Sequence, residues 1–197
     1  MGEMTLMHGL KRKIKNGGKK GSMTFTSLII AGFLLLAGLF FMVDIPLKLI
    51  MSNELVDNLN NATSSAVTLI DEDQIKTGTL FIDEKRATDA VYGMVAELYN
   101  LDLDASKRNF ALKETSRLSK PPKIEVWVVN RPKNSSPDTW KQTKTMLNGE
   151  VVTVKESSVV VTAEMNFKPL VRKNDDGLVV TRTSASQVAF PEMINKN

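Results

Sequence analysis

The sequence predicts an α+β protein carried on an N-terminal transmembrane helix, and three observations predict it. A charge-free run of 23 residues, Gly21 to Val43, follows a basic tail. Apolar residues then recur at helical spacing as far as Leu98, and beyond Pro121-Pro122 the apolar period falls to two. In chain order this gives a basic cytoplasmic tail or leader over 1–21, a transmembrane helix over 22–50 and an outward amphipathic helix or stalk over 51–71. Residues 72–197 form an extracytoplasmic α+β head, a helix packed on a four- to five-stranded antiparallel sheet.

The first element rests on length and charge. At about 1.5 Å per residue, Gly21 to Val43 makes a helix of roughly 35 Å, enough for a hydrocarbon core of about 30 Å. Its centre, Leu28 to Val43, is rich in Leu, Ile and Phe and offers no polar face of the kind that soluble helices keep. Lys11, Arg12, Lys13, Lys15, Lys19 and Lys20 precede the run against the single acid Glu3, so the positive-inside rule places the N-terminus in the cytoplasm. A cleaved secretory signal is the competing reading. The run exceeds the usual apolar region of about 7–15 residues, and its exit, MVDIPLKLIM, has no small-x-small cleavage site.

Composition narrows the function classes. The formal charge of +4 belongs to the tail: six cations and one acid lie in the first 22 residues, and the rest of the chain carries −1. Nucleic-acid binding thereby loses the basic face that it requires, although the tail suits anionic lipid headgroups. Without cysteine, neither a disulfide framework nor a thiolate metal site is possible.

After Pro46, which is placed to kink the helix as it leaves the lipid, Leu55, Leu59, Ala62, Ala66 and Leu69 recur at spacings of three and four and form one narrow apolar seam. The opposite side carries Asn53, Asn58, Asn60, Asn61, Ser64 and Ser65. The seam packs on its own domain or on a neighbouring subunit. A second helix begins after Asp83, a suitable N-cap, with Ala87, Ala90, Val91, Met94, Val95 and Leu98 on its apolar side. From there to Pro121 the polar sequence suggests a loop with one helical turn near 105–112. Ile124, Val126 and Val128, then Val159, Val161, Ala163, Met165 and Phe167, mark half-buried strands. Asn148-Gly149 reads as a two-residue hairpin turn with both residues at positive φ, and Asp175-Asp176-Gly177 as a further turn.

Chemistry is sparse. The only histidine, His8, lies in the tail, so catalysis in the head is left to Ser, Thr or Lys and to carboxylates. Ser116 and Ser119-Lys120 read as flexible loop beside prolines. Asn100, Asp102 and Asp104 have the spacing of an EF-hand start, but Ala105 and Ala111 replace the glycine and the glutamate that the loop needs, which leaves a polar helix terminus. Asp71-Glu72-Asp73 reads as a solvated turn, and Asn61-Ala-Thr63 and Asn134-Ser-Ser136 match the short glycosylation pattern. The expectation is a protein that is not an enzyme and has no cofactor or metal.

The basic tail, Gly21-Ser-Met-Thr-Phe-Thr26, the apolar helix that starts at once and the outward helix rich in Asn and Ala together resemble type IV pilin-like proteins. The similarity is greatest to the Tad-type (TadE/TadG-like) pseudopilins and related minor subunits. The small residues at Ala62 to Val67, the stretch from Gly78 and the late strand pair SVVVTAEMNF and GLVVTRTSAS are similar as well. The resemblance implies cutting by a prepilin peptidase between Gly21 and Ser22, followed by helix bundling in a membrane assembly. The fifth residue after the cut, often glutamate in these families, is Thr26 here. The function it implies is a structural subunit of a bacterial pilus, secretion or conjugation apparatus, with other subunits as partners and Gly32 and Gly38 as close-approach points between membrane helices. The alternative is a permanent signal-anchored module whose extracytoplasmic head binds a ligand or adds a peptide strand at an exposed edge.

Overall fold

The computed structural model describes residues 3–75, 80–106, 108–136, 138–168 and 177–188, with side chains from Thr24 onward except at 40–41, 44–45 and 75. The chain divides into two compact units, Met1–Leu47 and Lys48–Asn197. Helix α1, Glu3–Val67, contains Pro46 and supplies all the structure described in the first unit. Phe25, Leu28, Ile29, Ile30, Phe33, Leu34, Leu35 and Leu36 are each more than half exposed there. Among the described residues, no helix is long and apolar enough to cross a membrane.

The second unit is α+β. After α1 come α2 (Glu72–Ile75) and α3 (Glu84–Leu98), then the strands β1 (Leu101–Leu103), β2 (Phe110–Leu112), β3 (Leu118–Val129), β4 (Gln142–Thr145), β5 (Val151–Val154), β6 (Ser158–Phe167) and β7 (Leu178–Gln187). α3 begins as its sequence dictates: the Asp83 carboxylate accepts from the Arg86 N–H at 3.0 Å and so satisfies one of the free first-turn donors. It ends at Tyr99, followed by Asn100 at φ 53, the left-handed residue that closes a helix when no glycine is present.

The single meander of four or five strands is corrected by the structure. Among the described residues all the pairing is antiparallel, but the strands form three sheets: β1-β2, β3-β6-β7 and β4-β5. β3 and β6 pair directly, and the β4-β5 hairpin folds out of the chain between them. Its apolar side needs cover, and the sheet supplies it: Met146 and Val154 join Val129 and Val160 in one buried cluster, with Trp127, Trp140 and Val152 packed around it.

This hairpin also overturns the reading of β6 as half-buried. Register puts Ile124, Ala163 and Arg182 in one row and Trp127, Val160 and Ala185 in another, on opposite faces. Helices cover the first face and the hairpin covers part of the second, so every residue from Ser158 to Ala163 is buried. The run Val159-Val160-Val161 is the sequence mark of a strand covered on both sides.

Two further expectations change. Residues 101–103 and 110–112 form a hairpin, not a helical turn, because Asp104 fixes the bend by accepting from the N–H groups of Arg108 and Asn109 and from Ser106 Oγ. At the β4-β5 turn only Gly149 has positive φ (81); Asn148 does not. Gly149 N–H donates to the Met146 carbonyl and Met146 N–H to that of Glu150, so the loop has three residues and ends on a left-handed glycine. Pro121 and Pro122 lie inside β3, where the register shifts between Lys120 and Lys123, as suits an edge strand.

Candidate functional site

Three places bear on function: the seam of α1, a cleft beside β3 and the apolar stretch of α1. The seam begins earlier than its sequence pattern, at Met51, and Leu55, Leu59, Ala62 and Ala66 are fully buried or nearly so, with Leu69 half-buried beyond the helix end. It is buried within the unit formed by residues 48–197, which decides between the two packing partners left open by the pattern. Residues 51–67 therefore belong to the same compact unit as α3 and the sheets. Leu55 and Leu59 each bury a side chain worth about 1.5–3 kcal/mol.

Beside the apolar seam runs a polar one that the pattern of apolar residues does not show. Thr63, fully buried, has its hydroxyl 3.1 Å from Ser184 Oγ and 2.8 Å from Ser186 Oγ. Ser184 Oγ donates to Asn60 Oδ1 at 2.6 Å, and Ser64 Oγ lies 3.2 Å from Ser186 Oγ. Ser184 and Ser186 stand two apart in β7 and so share a face. At the same helix, Asn58 Nδ2 donates to the Tyr99 hydroxyl at 3.0 Å, and Glu54 takes both Arg117 nitrogens at 2.7 and 3.1 Å. Burial pushes the Tyr99 hydroxyl above its ordinary value, and the Asn58 bond opposes that shift. Ser-x-Ser on one face of β7, opposite an Asn-rich helix, was the available signal. The apolar pattern set Asn58, Asn60 and Ser64 opposite the seam and assigned them no partner.

A cleft of about 500 Å³ lies along the outer edge of β3. Tyr92 and Phe110, stacked at 5.3 Å, form one wall and Met146 and Leu147 the other, with Pro122 to Glu125 between. Arg108 lies over the Tyr92 ring and pairs with Asp89. Tyr92 donates to the Ile124 carbonyl at 3.2 Å, and burial raises its pKa while Arg108 lowers it. Glu125 accepts from the Leu147 N–H and pairs with Lys144. Its charges are thus matched in pairs, Lys123 with Glu164 included.

The other candidates resolve as structure. Ser116 is buried and donates to the Tyr99 carbonyl, and Lys168 Nζ meets the Ser116 carbonyl, not its hydroxyl. Ser119 and Lys120 lie in β3, not in a flexible loop, and Ser119 Oγ donates to the Asn166 carbonyl. Asn100 does end a helix, whereas Asp102 lies in β1 and Asp104 in the following turn, where its hydrogen bonds hold its pKa well below the usual carboxylate range. Asp71 closes the turn before α2 by accepting from the Asp73 N–H. No group of three or more His, Cys, Asp and Glu residues suited to a metal ion occurs among the described residues. Asn61 and Asn134 are exposed, but the Thr63 hydroxyl of the first triplet is consumed inside the head.

Gly21 and Ser22 fall within α1, but their side chains lie outside the described residues. Among the described residues, nothing beyond the helix's own backbone lies within 4 Å of the position a Cβ would take at Gly32 or Gly38. No protein-family model, no curated protein and no solved structure matches the chain.

Proposed function

We propose that this chain is a structural, pseudopilin-like subunit of a pilus, secretion or conjugation apparatus, held in a bacterial cell membrane by one helix with its N-terminus cytoplasmic and its head extracytoplasmic. Its partners are the membrane, other subunits of the same assembly and a prepilin peptidase, and it binds no nucleic acid. It acts by helix-to-helix assembly and head contacts and not as an enzyme.

The observation that carries this reading is the exposure of α1 between Phe25 and Leu39. Successive helical residues point about 100° apart, so the exposed runs Leu28 to Ile30 and Phe33 to Leu36 cover all sides of the helix. A single protein surface buries one stripe of a helix; a hydrocarbon layer, or a bundle within one, buries all of it. Gly32 and Gly38, which leave room for a close neighbour among the described residues, suit such a bundle.

A second reading keeps the topology but makes the chain a permanent signal-anchored binding module. It is favoured by the burial of the α1 seam in its own unit, which leaves that seam no role between subunits. Intact mass of the protein from native membranes, beside a Gly21→Leu variant, separates the two. A native chain that begins at Ser22, with the variant uncut, is expected for the pseudopilin-like subunit. Full-length mass in both, in cells with an active prepilin peptidase, would leave the second reading.

A further inference from the structure

We propose that the outer edge of β3 takes up an extended, uncharged apolar peptide of another protein as an added strand, which runs into the cleft beside β3. This rests on the reading of the head as a binding module and gives that reading a site. Strand geometry identifies the groups that face outward. Val188 N–H donates to the Ser157 carbonyl, so in β6 the odd-numbered residues bond to β7. Backbone groups alternate sides along a strand, and the even-numbered ones therefore bond to β3. The register then leaves Ile124, Val126 and Val128 with their N–H and C=O groups turned away from the sheet. The Tyr92 hydroxyl on the Ile124 carbonyl agrees with that direction. Among the described residues, nothing bonds to the N–H or the carbonyl of Val126 or Val128.

An edge of this kind pairs with further strands unless something blunts it. At the start of β3 the two prolines, the register shift and Lys123 do so. From Ile124 to Val129 the only charge is Glu125, and its carboxylate is turned onto the hairpin, to the Leu147 N–H and Lys144. On β7, the other edge of the same sheet, Arg182 Nη1 takes the Thr181 carbonyl, which by the same alternation faces outward. Val126 and Val128 present two donors and two acceptors at the two-residue repeat, about 6.6–6.8 Å, of an extended peptide backbone. The cleft of about 500 Å³ lies along Pro122 to Glu125, so a strand paired with Val126 and Val128 continues into it, and its volume is that of a ligand site. Tyr92 and Phe110 flank one face of such a strand and Met146 and Leu147 the other, so both sets of its alternating side chains meet apolar walls. Charge fixes the rest of the occupant's chemistry. Asp89 matches Arg108, Glu164 matches Lys123 and Lys144 matches Glu125. A charged side chain in the cleft would find these counter-ions already taken, whereas an apolar one is complementary to a neutral site.

The test titrates a fluorescein-labelled KTVIVTK peptide against the full chain in lipid nanodiscs, with empty nanodiscs as the blank, and reads anisotropy. V126P removes an outward N–H without touching a ladder bond, and L147E sets a charge on the cleft wall at a side chain that is 48% exposed. Each should weaken binding at least tenfold, as should N-methylation of the peptide at alternate residues in one of its two frames. A185P, which takes an outward N–H from β7, should leave binding unchanged. If V126P loses the thermal transition of the head, L147E and the N-methylated peptides still decide. Binding lost in A185P and kept in V126P and L147E would overturn the inference while the binding-module reading stands. Binding that no variant weakens, or no binding at all, would overturn the inference as well. Self-association of the full chain that L147E abolishes would show a second copy on the edge and overturn the peptide as occupant. The binding-module reading itself falls separately, to a native chain that begins at Ser22.

Discussion

Between Phe25 and Leu39, α1 turns Leu, Ile and Phe outward on every side, whereas between Met51 and Val67 it hides one narrow seam and gives its polar residues to the sheet. Both stretches are helical, so backbone hydrogen bonding does not separate them. What separates them is the surroundings each demands. A helix apolar all round is stable where the medium itself is apolar, while a seam of Leu and Ala is stable where one matching surface meets it. The second stretch finds that surface in its own unit, against the face of the sheet that carries Val161 and Ser184.

The sharpest way to break this comparison is truncation in each stretch. Leu59→Ala should lower the unfolding free energy of the head by about 2–5 kcal/mol in denaturant titrations of the full chain in micelles. Leu34→Ala, at a side chain that is 67% exposed, should leave the same transition where it is. Equal losses from both would mean that the first stretch is packed in protein, and the contrast would fail.

A smaller effect is expected at the polar seam. Thr63→Val keeps the shape but leaves Ser184 and Ser186 short of a partner, at a cost of about 1–3 kcal/mol. Adding Ser184→Ala and Ser186→Ala should recover part of that loss. No recovery would mean that the hydroxyl bonds are incidental to the packing of α1 on β7.

The smallest effects follow from pH. Tyr99 has its pKa raised from 10.0 in the folded head, so its contribution is complete below that value and is lost as pH climbs through the raised one. Tyr99→Phe should flatten the alkaline limb of a thermal-stability profile. Asp104 has a depressed pKa, so its contribution is present above the usual carboxylate range and fades as pH falls below it. Asp104→Asn should flatten the acid limb and leave the alkaline one alone. A variant that moved the opposite limb would show that the wrong group had been assigned.

Elements that depend on neighbours in sequence were legible. The Leu55, Leu59, Ala62, Ala66 spacing marks the seam, Asp83 marks the start of α3, and Gly149 marks a turn in which φ is positive, whereas Asp175 and Asp176 of the second expected turn lie outside the described residues. What the pattern hid depends on residues far apart. The bonds from Ser184 and Ser186 to α1 join positions 121 to 124 residues apart, and nothing local to either partner requires them. The double burial of β6 was hidden for the same reason, since it depends on a hairpin that folds back over the sheet. The β1-β2 pair was missed because three-residue strands are too short to show a period.

By itself the sequence determined that this chain carries an apolar stretch with no polar face, behind a basic tail, and that an α+β part follows it, because hydropathy and periodicity are properties of contiguous residues. Only the tertiary structure decided that the seam of α1 faces its own sheet, that the described strands form three small sheets in place of one meander and that residues 51–67 belong to the compact unit that begins at Lys48. Those outcomes depend on which distant surfaces are complementary, and complementarity belongs to pairs of segments and not to either one.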